Sequence, residues 1–274
     1  MRPFVFVAFA LLSFASPPPP AAAQTGSEAN LVLTIFGGTV TGHDLWTIDK
    51  QPFSVPDGSG RTDTLRLSRV INSSLVLGAA ATYFPSPHVG VHAEVSYMGL
   101  PVDSDCTPLF LNSDVDAGGT NLRRNEQVCD YISAQSASGG AITIFSGVTL
   151  RAASRRSFSP YVRGNFGLAV LSGSTIDMAG AYVVGGTVSV REIIADAKPR
   201  RASLLLGAAA GFTAPLGAGY QFRLEARDLV TSLGRVTGPA NGLGIAPRET
   251  RFYHHFALTL GLDVVLEHKR GRRY

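Results

Sequence analysis

The sequence predicts an all-β protein, an antiparallel up-and-down transmembrane β-barrel with eight strands, short periplasmic turns and long extracellular loops. Eight stretches alternate apolar and polar residues with a period of two, which is typical of strands whose two faces meet different surroundings. Their connections are alternately short and long. Only 16% of the residues are charged, against about a quarter in soluble domains. Such strands are satisfied in a closed barrel, because lipid covers the apolar face and the interior takes the polar one.

The chain begins with a segment that has the layout of a secretory signal peptide. An apolar run at 4–14 leads through prolines to the A-x-A cleavage site Ala21–Ala23. The run is shorter than the roughly 20 residues that a spanning helix needs, which disfavours a membrane anchor. We therefore expect a removed signal peptide at 1–23, a barrel at 24–266 and a basic periplasmic tail at 267–274.

The first four predicted strands lie at about 30–40, 65–84, 88–100 and 140–153. In each of them the residues of one parity are mostly aliphatic, alanine or tyrosine, and we expect that face to contact lipid. In chain order these outward positions are Leu31, Leu33, Ile35, Leu75, Leu77, Ala79, Ala81, Tyr83, Val89, Val91, Ala93, Val95, Tyr97, Ile142, Ile144, Val148 and Leu150. Leu65 and Leu67 keep the same parity at the start of the second strand.

The last four predicted strands lie at about 161–172, 203–214, 221–227 and 251–266. They alternate in the same way, most regularly in the seventh strand, where apolar residues separate four polar ones. Their outward positions are Val162, Phe166, Leu168, Val170, Leu204, Leu206, Ala208, Ala210, Phe212, Phe222, Leu224, Ala226, Phe252, Phe256, Leu258, Leu260, Leu262, Val264 and Leu266.

The connections indicate which rim faces which compartment. Three are short and rich in proline, glycine or serine, at 85–87, 154–160 and 215–219. Four are long and polar, at about 41–64, 101–139, 173–202 and 234–250. In outer-membrane barrels the short turns lie in the periplasm, so both chain ends are expected there.

The third long loop contains two apolar runs around Gly185 and Gly186, which predict a hairpin at 181–190. We expect this hairpin to extend the fifth and sixth strands above the membrane. A barrel of ten strands is the alternative. The segment 191–197 is predicted to form a short helix.

Cys106 and Cys129 both lie in the second long loop. In an exported protein a pair of cysteines this close predicts a disulfide. Two free thiols are the alternative, and a metal site is disfavoured because no histidine lies nearby.

A set of charged residues falls on the inward parity of the predicted strands. Its members are Glu94, Arg151, Arg163, Arg223, Glu225, Arg227 and Asp263. An eight-stranded barrel has an interior just wide enough for side chains to fill. We therefore favour a plug of mutual salt bridges, since buried charges must be paired. A narrow pore or an anion path is the alternative, because arginine outnumbers the acids in this set.

Aromatic and histidine residues give the remaining candidates. The expected aromatic girdle at the membrane interfaces consists of Tyr83, Tyr97, Phe252 and Tyr253. His254 faces outward and is the one candidate for lipid-modifying chemistry, but its own strand offers no serine and acid on that face. Trp46, in the first long loop, either contributes to a partner surface or packs within the loops.

With its leader, eight strands and alternating loops, the mature chain resembles the small eight-stranded outer-membrane barrels of Gram-negative bacteria, of the OmpA-barrel, OmpX and OmpW type. The last strand ends near Leu266 rather than on a terminal aromatic residue, which departs from that pattern. The resemblance implies a non-enzymatic outer-membrane protein with a structural, surface-contact or narrow-passage role. Its implied partners are outer-membrane lipid and lipopolysaccharide, the barrel-insertion machinery and a possible extracellular ligand.

Three alternatives to this function stay open at the level of sequence. They are an OmpW-like channel for small or hydrophobic molecules, a soluble periplasmic barrel resembling a lipocalin, and a barrel enzyme that modifies lipid A. No nucleic-acid partner is expected, because the basic residues do not cluster with aromatic ones. No cofactor, metal or catalytic residue is predicted.

Overall fold

The computed structural model describes residues 30–54, 62–110, 120–135, 139–152, 158–184, 186–197, 201–217 and 219–267. The predicted signal peptide and the tail beyond Glu267 lie outside the described residues. In chain order the elements are β1 Asn30–Val40, β2 His43–Ser54, β3 Thr62–Ile71, β4 Ser74–Phe84, β5 Val89–Gly99, β6 Val102–Phe110, α1 Thr120–Ala134, β7 Gly140–Arg151, β8 Ser159–Leu171, β9 Met178–Val184, β10 Thr187–Ile194, β11 Ala202–Gly217, β12 Tyr220–Val236 and β13 Arg248–Glu267.

Eight strands form a closed barrel in the order β1-β13-β12-β11-β8-β7-β5-β4, which confirms the predicted fold class and strand number. Every neighbouring pair is antiparallel, and β1 closes the ring by pairing with β13 on one side and β4 on the other. Leu31, for example, is paired with both Leu266 and Tyr83. Closure matters because an unpaired backbone group in hydrocarbon costs several kcal/mol, and a ring of strands has no free edge.

The predicted parity also holds around the barrel. Outward side chains such as Ile35, Leu75 and Phe166 are 64%, 63% and 63% exposed. The inward positions between them are largely buried and many are polar, as at Thr34 and Ser96. A soluble lipocalin-like barrel requires the opposite arrangement, so that alternative is wrong.

Among the described residues, no helix is both long and apolar enough to cross a membrane.

The second predicted strand, 65–84, is two strands rather than one. The part from Ser74 onward is β4 and belongs to the barrel, whereas β3 leaves the barrel and pairs with β2 and β6. Leu65 and Leu67 are therefore fully buried, whereas the sequence analysis predicted that they face lipid. The period of two is the same in both halves, so the alternation alone does not reveal that the apolar face turns from lipid to a protein core.

The third long loop is partly as predicted. β9 and β10 form the expected hairpin, but as a separate two-stranded sheet that does not extend the neighbouring barrel strands. The predicted helix at 191–197 is wrong, because β10 continues to Ile194 through a bulge between Glu192 and Ile194. The hairpin stays outside the barrel, so the ten-stranded alternative is also wrong.

The long loops fold into a structured cap, which we define as β2, β3, β6, α1, β9 and β10. β2, β3 and β6 form a three-stranded sheet, and α1 packs against β6 and β9. Its core side chains include Leu45, Trp46, Ile48, Phe53, Leu65, Leu67, Val128, Ile132, Met178 and Tyr182. Trp46 is buried, and its Nε1–H donates a hydrogen bond of 3.1 Å to the Thr175 carbonyl oxygen. The structure thus shows Trp46 packed within the loops.

The predicted disulfide is confirmed. It joins Cys106 of β6 to Cys129 of α1 across a sequence separation of 23. A second link between the same helix and the sheet is the Asn125 Nδ2–H, which donates to Asp63 Oδ2 at 2.6 Å. Both links hold α1, which the sequence analysis did not predict, against the cap sheet.

Candidate functional site: a charge network in the barrel interior

Four of the predicted inward charges meet in the middle of the barrel. Glu94 of β5, Arg163 of β8, and Glu225 and Arg227 of β12 are each at most 4% exposed. Arg163 Nη1 lies 3.6 Å from Glu94 Oε2 and 3.5 Å from Glu225 Oε2. Arg227 completes the set by donating from Nη1 to Glu94 Oε1 and by an ion-pair contact between Nε and Glu225 Oε1. We call these four residues the charge ring, since each guanidinium contacts both carboxylates.

The charge ring is extended by polar groups from the neighbouring strands. The Tyr161 hydroxyl donates to Glu225 Oε2 at 2.6 Å. Arg163 donates from Nε to Thr149 Oγ1 and from Nη2 to Thr82 Oγ1, both at 3.1 Å. Hydrogen bonds to charged groups are worth about 1.5–3 kcal/mol each, roughly twice as much as neutral ones. Paired in this way, the buried charges are retained without leaving a bare ion in the interior.

A second ion pair lies on the inner face of β12 and β13. Arg223 donates from Nε and Nη2 to Asp263 Oδ2, at 3.2 and 2.9 Å. The Thr34 hydroxyl donates to Asp263 Oδ1 at 2.8 Å. Beside this pair, at the rim with the short turns, is a cavity of about 20 Å³, room for about one water molecule.

Arg151 is the one member of the predicted set that the structure does not bring into the interior network. It ends β7 at the rim, where its Nε donates to the Pro87 carbonyl oxygen and its guanidinium lies 3.9 Å from the Phe84 ring centre. Without Arg151, the arginines at 163, 223 and 227 face the acids at 94, 225 and 263, three against three. The excess of arginine that supported an anion path is therefore absent from the paired interior set.

The space for the charge ring comes from small inward residues on β11. Ala209 is paired with Arg227 on one side and Arg163 on the other, so its methyl group separates the two long side chains. Two positions further along, a Cβ atom on Gly211 would lie 2.3 Å from the Leu224 carbonyl oxygen and 2.8 Å from the Tyr161 hydroxyl. A glycine is therefore required where the tyrosine reaches across to Glu225.

Beside Arg163 lies a chain of neutral hydrogen bonds that the sequence analysis did not single out. His92 Nε2 is 2.7 Å from Asn165 Oδ1, and its Nδ1 is 3.1 Å from the Thr149 hydroxyl. The amide oxygen accepts, so Nε2 carries the proton and Nδ1 accepts from Thr149. The only sequence signal for these residues is their inward parity, because their mutual contacts depend on strand register.

Three of the four predicted girdle residues face outward. Tyr83, Tyr97 and Phe252 are 46%, 51% and 54% exposed, whereas Tyr253 is 8% exposed. Tyr253 is inward by parity, and its hydroxyl donates to the Leu45 carbonyl oxygen of the cap at 2.7 Å. Its placement in the girdle was therefore wrong, since adjacent residues of a strand cannot share a face.

His254 faces outward as predicted and has an acidic partner there. Its Nδ1 lies 2.8 Å from Asp228 Oδ2, and Asp228 belongs to the neighbouring strand β12. The partner was missed because it lies across the sheet rather than along β13.

Among the described residues, no group of three or more histidine, cysteine, aspartate or glutamate side chains is placed to hold a metal ion.

No protein-family model and no curated protein matches this sequence. Solved structures with a similar fold include the outer membrane protein OprG from Pseudomonas aeruginosa, which is 10% identical over 88% of this chain and 97% of that chain, with a TM-score of 0.48. The outer membrane protein AlkL, solved in lipid bilayers, is 13% identical over 94% and 99%, with a TM-score of 0.42. The outer membrane protease OmpT from Escherichia coli is 8% identical over 88% and 98%, with a TM-score of 0.39. The fold assignment itself rests on the strand pairing described above.

Glu225→Gln tests the charge ring, because it keeps the side-chain shape and removes one carboxylate charge. The variant leaves two buried guanidinium groups short of a counter-charge, so we expect the free energy of unfolding to fall by about 3–5 kcal/mol. The measurement is urea unfolding in lipid vesicles, followed by the gel shift between folded and boiled protein. The control is Glu249→Gln, whose ion pair with Arg235 is largely exposed on the acid and should cost less than about 1 kcal/mol. Equal effects of the two substitutions would contradict the structural role of the charge ring.

Proposed function

We propose that this chain is a non-enzymatic β-barrel of the bacterial outer membrane, with a sealed lumen and a cap that contacts partners at the cell surface. The observation that carries the proposal is the charge ring, a buried and paired set of side chains across the barrel interior. A barrel closed in this way anchors the protein in the membrane and displays its long loops at the surface. It does not offer a wide aqueous path. Its immediate partners are then lipid, lipopolysaccharide and the insertion machinery.

The membrane placement is supported by the outer surface of the barrel. Outward positions on all eight strands carry exposed apolar side chains, such as Val91, Leu206 and Leu260 at 50%, 44% and 53%. Water does not tolerate an apolar band of this extent on a monomer, and lipid does. The signal peptide expected at 1–23 belongs to the same proposal, since export is needed to reach that membrane.

The cap supports the surface-contact part of the proposal. It exposes apolar side chains at the tip of the β9–β10 hairpin, where Val188 and Val190 are 63% and 59% exposed. Leu243, in the connection between β12 and β13, is 80% exposed. Exposed apolar residues grouped on one side of a protein often mark a contact surface. The disulfide and the buried core of the cap hold this surface in a fixed shape.

Conductance in a planar lipid bilayer tests the sealed lumen. We expect the wild-type protein to add no steady conductance, because the charge ring fills the interior. Glu94→Ala with Arg163→Ala keeps the net charge and removes two of the four side chains, so this variant should conduct if the gel shift shows that it folds. A steady conductance from the wild-type protein would contradict the proposal and favour the OmpW-like narrow channel.

Mass spectrometry of lipid A tests the non-enzymatic part. The pair of His254 and Asp228 faces lipid, but the hydrogen bonds of the described residues place no serine on this histidine. We therefore expect lipid A from cells that express the wild-type protein to match lipid A from cells that express His254→Ala. Loss or transfer of an acyl chain in the wild type alone would show that the pair is catalytic.

A further inference from the structure

Beneath the cap, the first residue of β2 contacts the inner face of β13. The ring of His43 stacks on Tyr253, with 4.9 Å between ring centres and 22° between ring planes. The same ring meets His255 edge-on, with 4.7 Å between centres. His255 is fully buried, and its Nε2 lies 2.7 Å from the Thr231 hydroxyl of β12. Two imidazoles from the cap and the barrel are thus in contact.

Among the described residues, three buried ring nitrogens of this pair have no hydrogen-bond partner. They are both nitrogens of His43 and Nδ1 of His255. A buried polar atom with no partner costs about 1–3 kcal/mol, and most such atoms in proteins have one. Three of them on two touching rings therefore point to a ligand that accepts or supplies electron pairs at this place.

The chemistry of imidazole narrows the class of ligand. A neutral imidazole offers a lone pair on one nitrogen, and this is the form that binds zinc, copper and nickel ions. If Nε2 of His255 carries the proton and donates to Thr231, the lone pair is on the unpartnered Nδ1. Metal-binding histidines usually have a partner that orients the second nitrogen in this way, most often a carboxylate, a backbone carbonyl or a water molecule.

The charged groups around the pair are of both signs. Asp44 follows His43 directly in the chain. The cations beside Tyr253 are Arg235, whose Nε is 3.1 Å from Glu249 Oε1, and Arg251. His254 points to the other side of β13, where it is bound to Asp228.

We propose that His43 and His255 bind a divalent transition-metal ion, of the class that imidazole prefers, with water in the remaining positions. The ion links the first residue of β2 to β13 and so fastens the cap to the barrel. This inference holds whether or not the lumen conducts, because it rests on the junction between cap and barrel and not on the charge ring.

The test uses the mature chain folded in detergent, with Cu²⁺ alone as the probe. Electron paramagnetic resonance counts the nitrogen ligands, and titration gives the affinity. His43→Phe keeps a ring stacked on Tyr253 and removes one ligand, and His255→Gln removes the other. The matched control is His254→Ala, which changes the adjacent residue on the opposite face.

We expect one saturable site with two nitrogen ligands in the wild type and in His254→Ala. His43→Phe should show one nitrogen ligand at most and an affinity lower by more than about tenfold, the loss that even an outer-shell change can cause. Wild-type protein without saturable binding would overturn the proposal. Binding that His43→Phe and His255→Gln leave unchanged would show an adventitious ion only and would also overturn it. If one variant does not fold, as judged by the gel shift, the other decides.

Discussion

The rest of this structure depends on the pairing of charges inside a barrel that has no room for bulk water. Glu225 lies at the centre, fully buried, in contact with Arg163, Arg227 and the Tyr161 hydroxyl. A carboxylate in such a place is tolerated only when several donors surround it, because the desolvation of an ion costs several kcal/mol. The register of β8, β11 and β12 brings those donors together, so the same strand pairing that closes the barrel also pairs its interior charges.

The opposite faces of the same strands explain where the protein resides. Between Glu225 and Arg227 lies Ala226, which points outward, and the alternation continues along β12. The outer faces of the strands are apolar, whereas the inner faces carry the paired charges among other buried side chains, and a boundary between lipid and a packed interior suits both. The cap adds a third environment, an ordinary apolar core above the barrel, built from the long loops. The sealed interior and the structured cap together favour contact at the surface over bulk transport.

The sequence predicted the barrel well because a period of two is a local property that needs no knowledge of neighbours. The prediction failed where the surroundings of a residue depend on which other segment packs against it. Leu65 and Leu67 alternate like lipid-facing residues, yet α1 and the cap sheet cover that part of the molecule. α1 itself escaped notice because its buried positions, such as Val128 and Ile132, are few among polar residues. Two further features could not be predicted from one sequence, the contact of Asp228 with His254 and the place of Arg151 at the rim. Both depend on the register of the strands and on where each strand ends.

The most direct test of the sealed interior is hydrogen exchange of the arginine side-chain N–H groups, followed by NMR of the protein in lipid nanodiscs. Arg163 and Arg227 have side chains that are 1% exposed, whereas that of Arg66 in the cap is 56% exposed. The account predicts that the Nε–H signals of Arg163 and Arg227 persist at neutral pH, while that of Arg66 exchanges with water at once. Equally fast exchange at all three would show that water fills the lumen, and would contradict a barrel closed by its own charges.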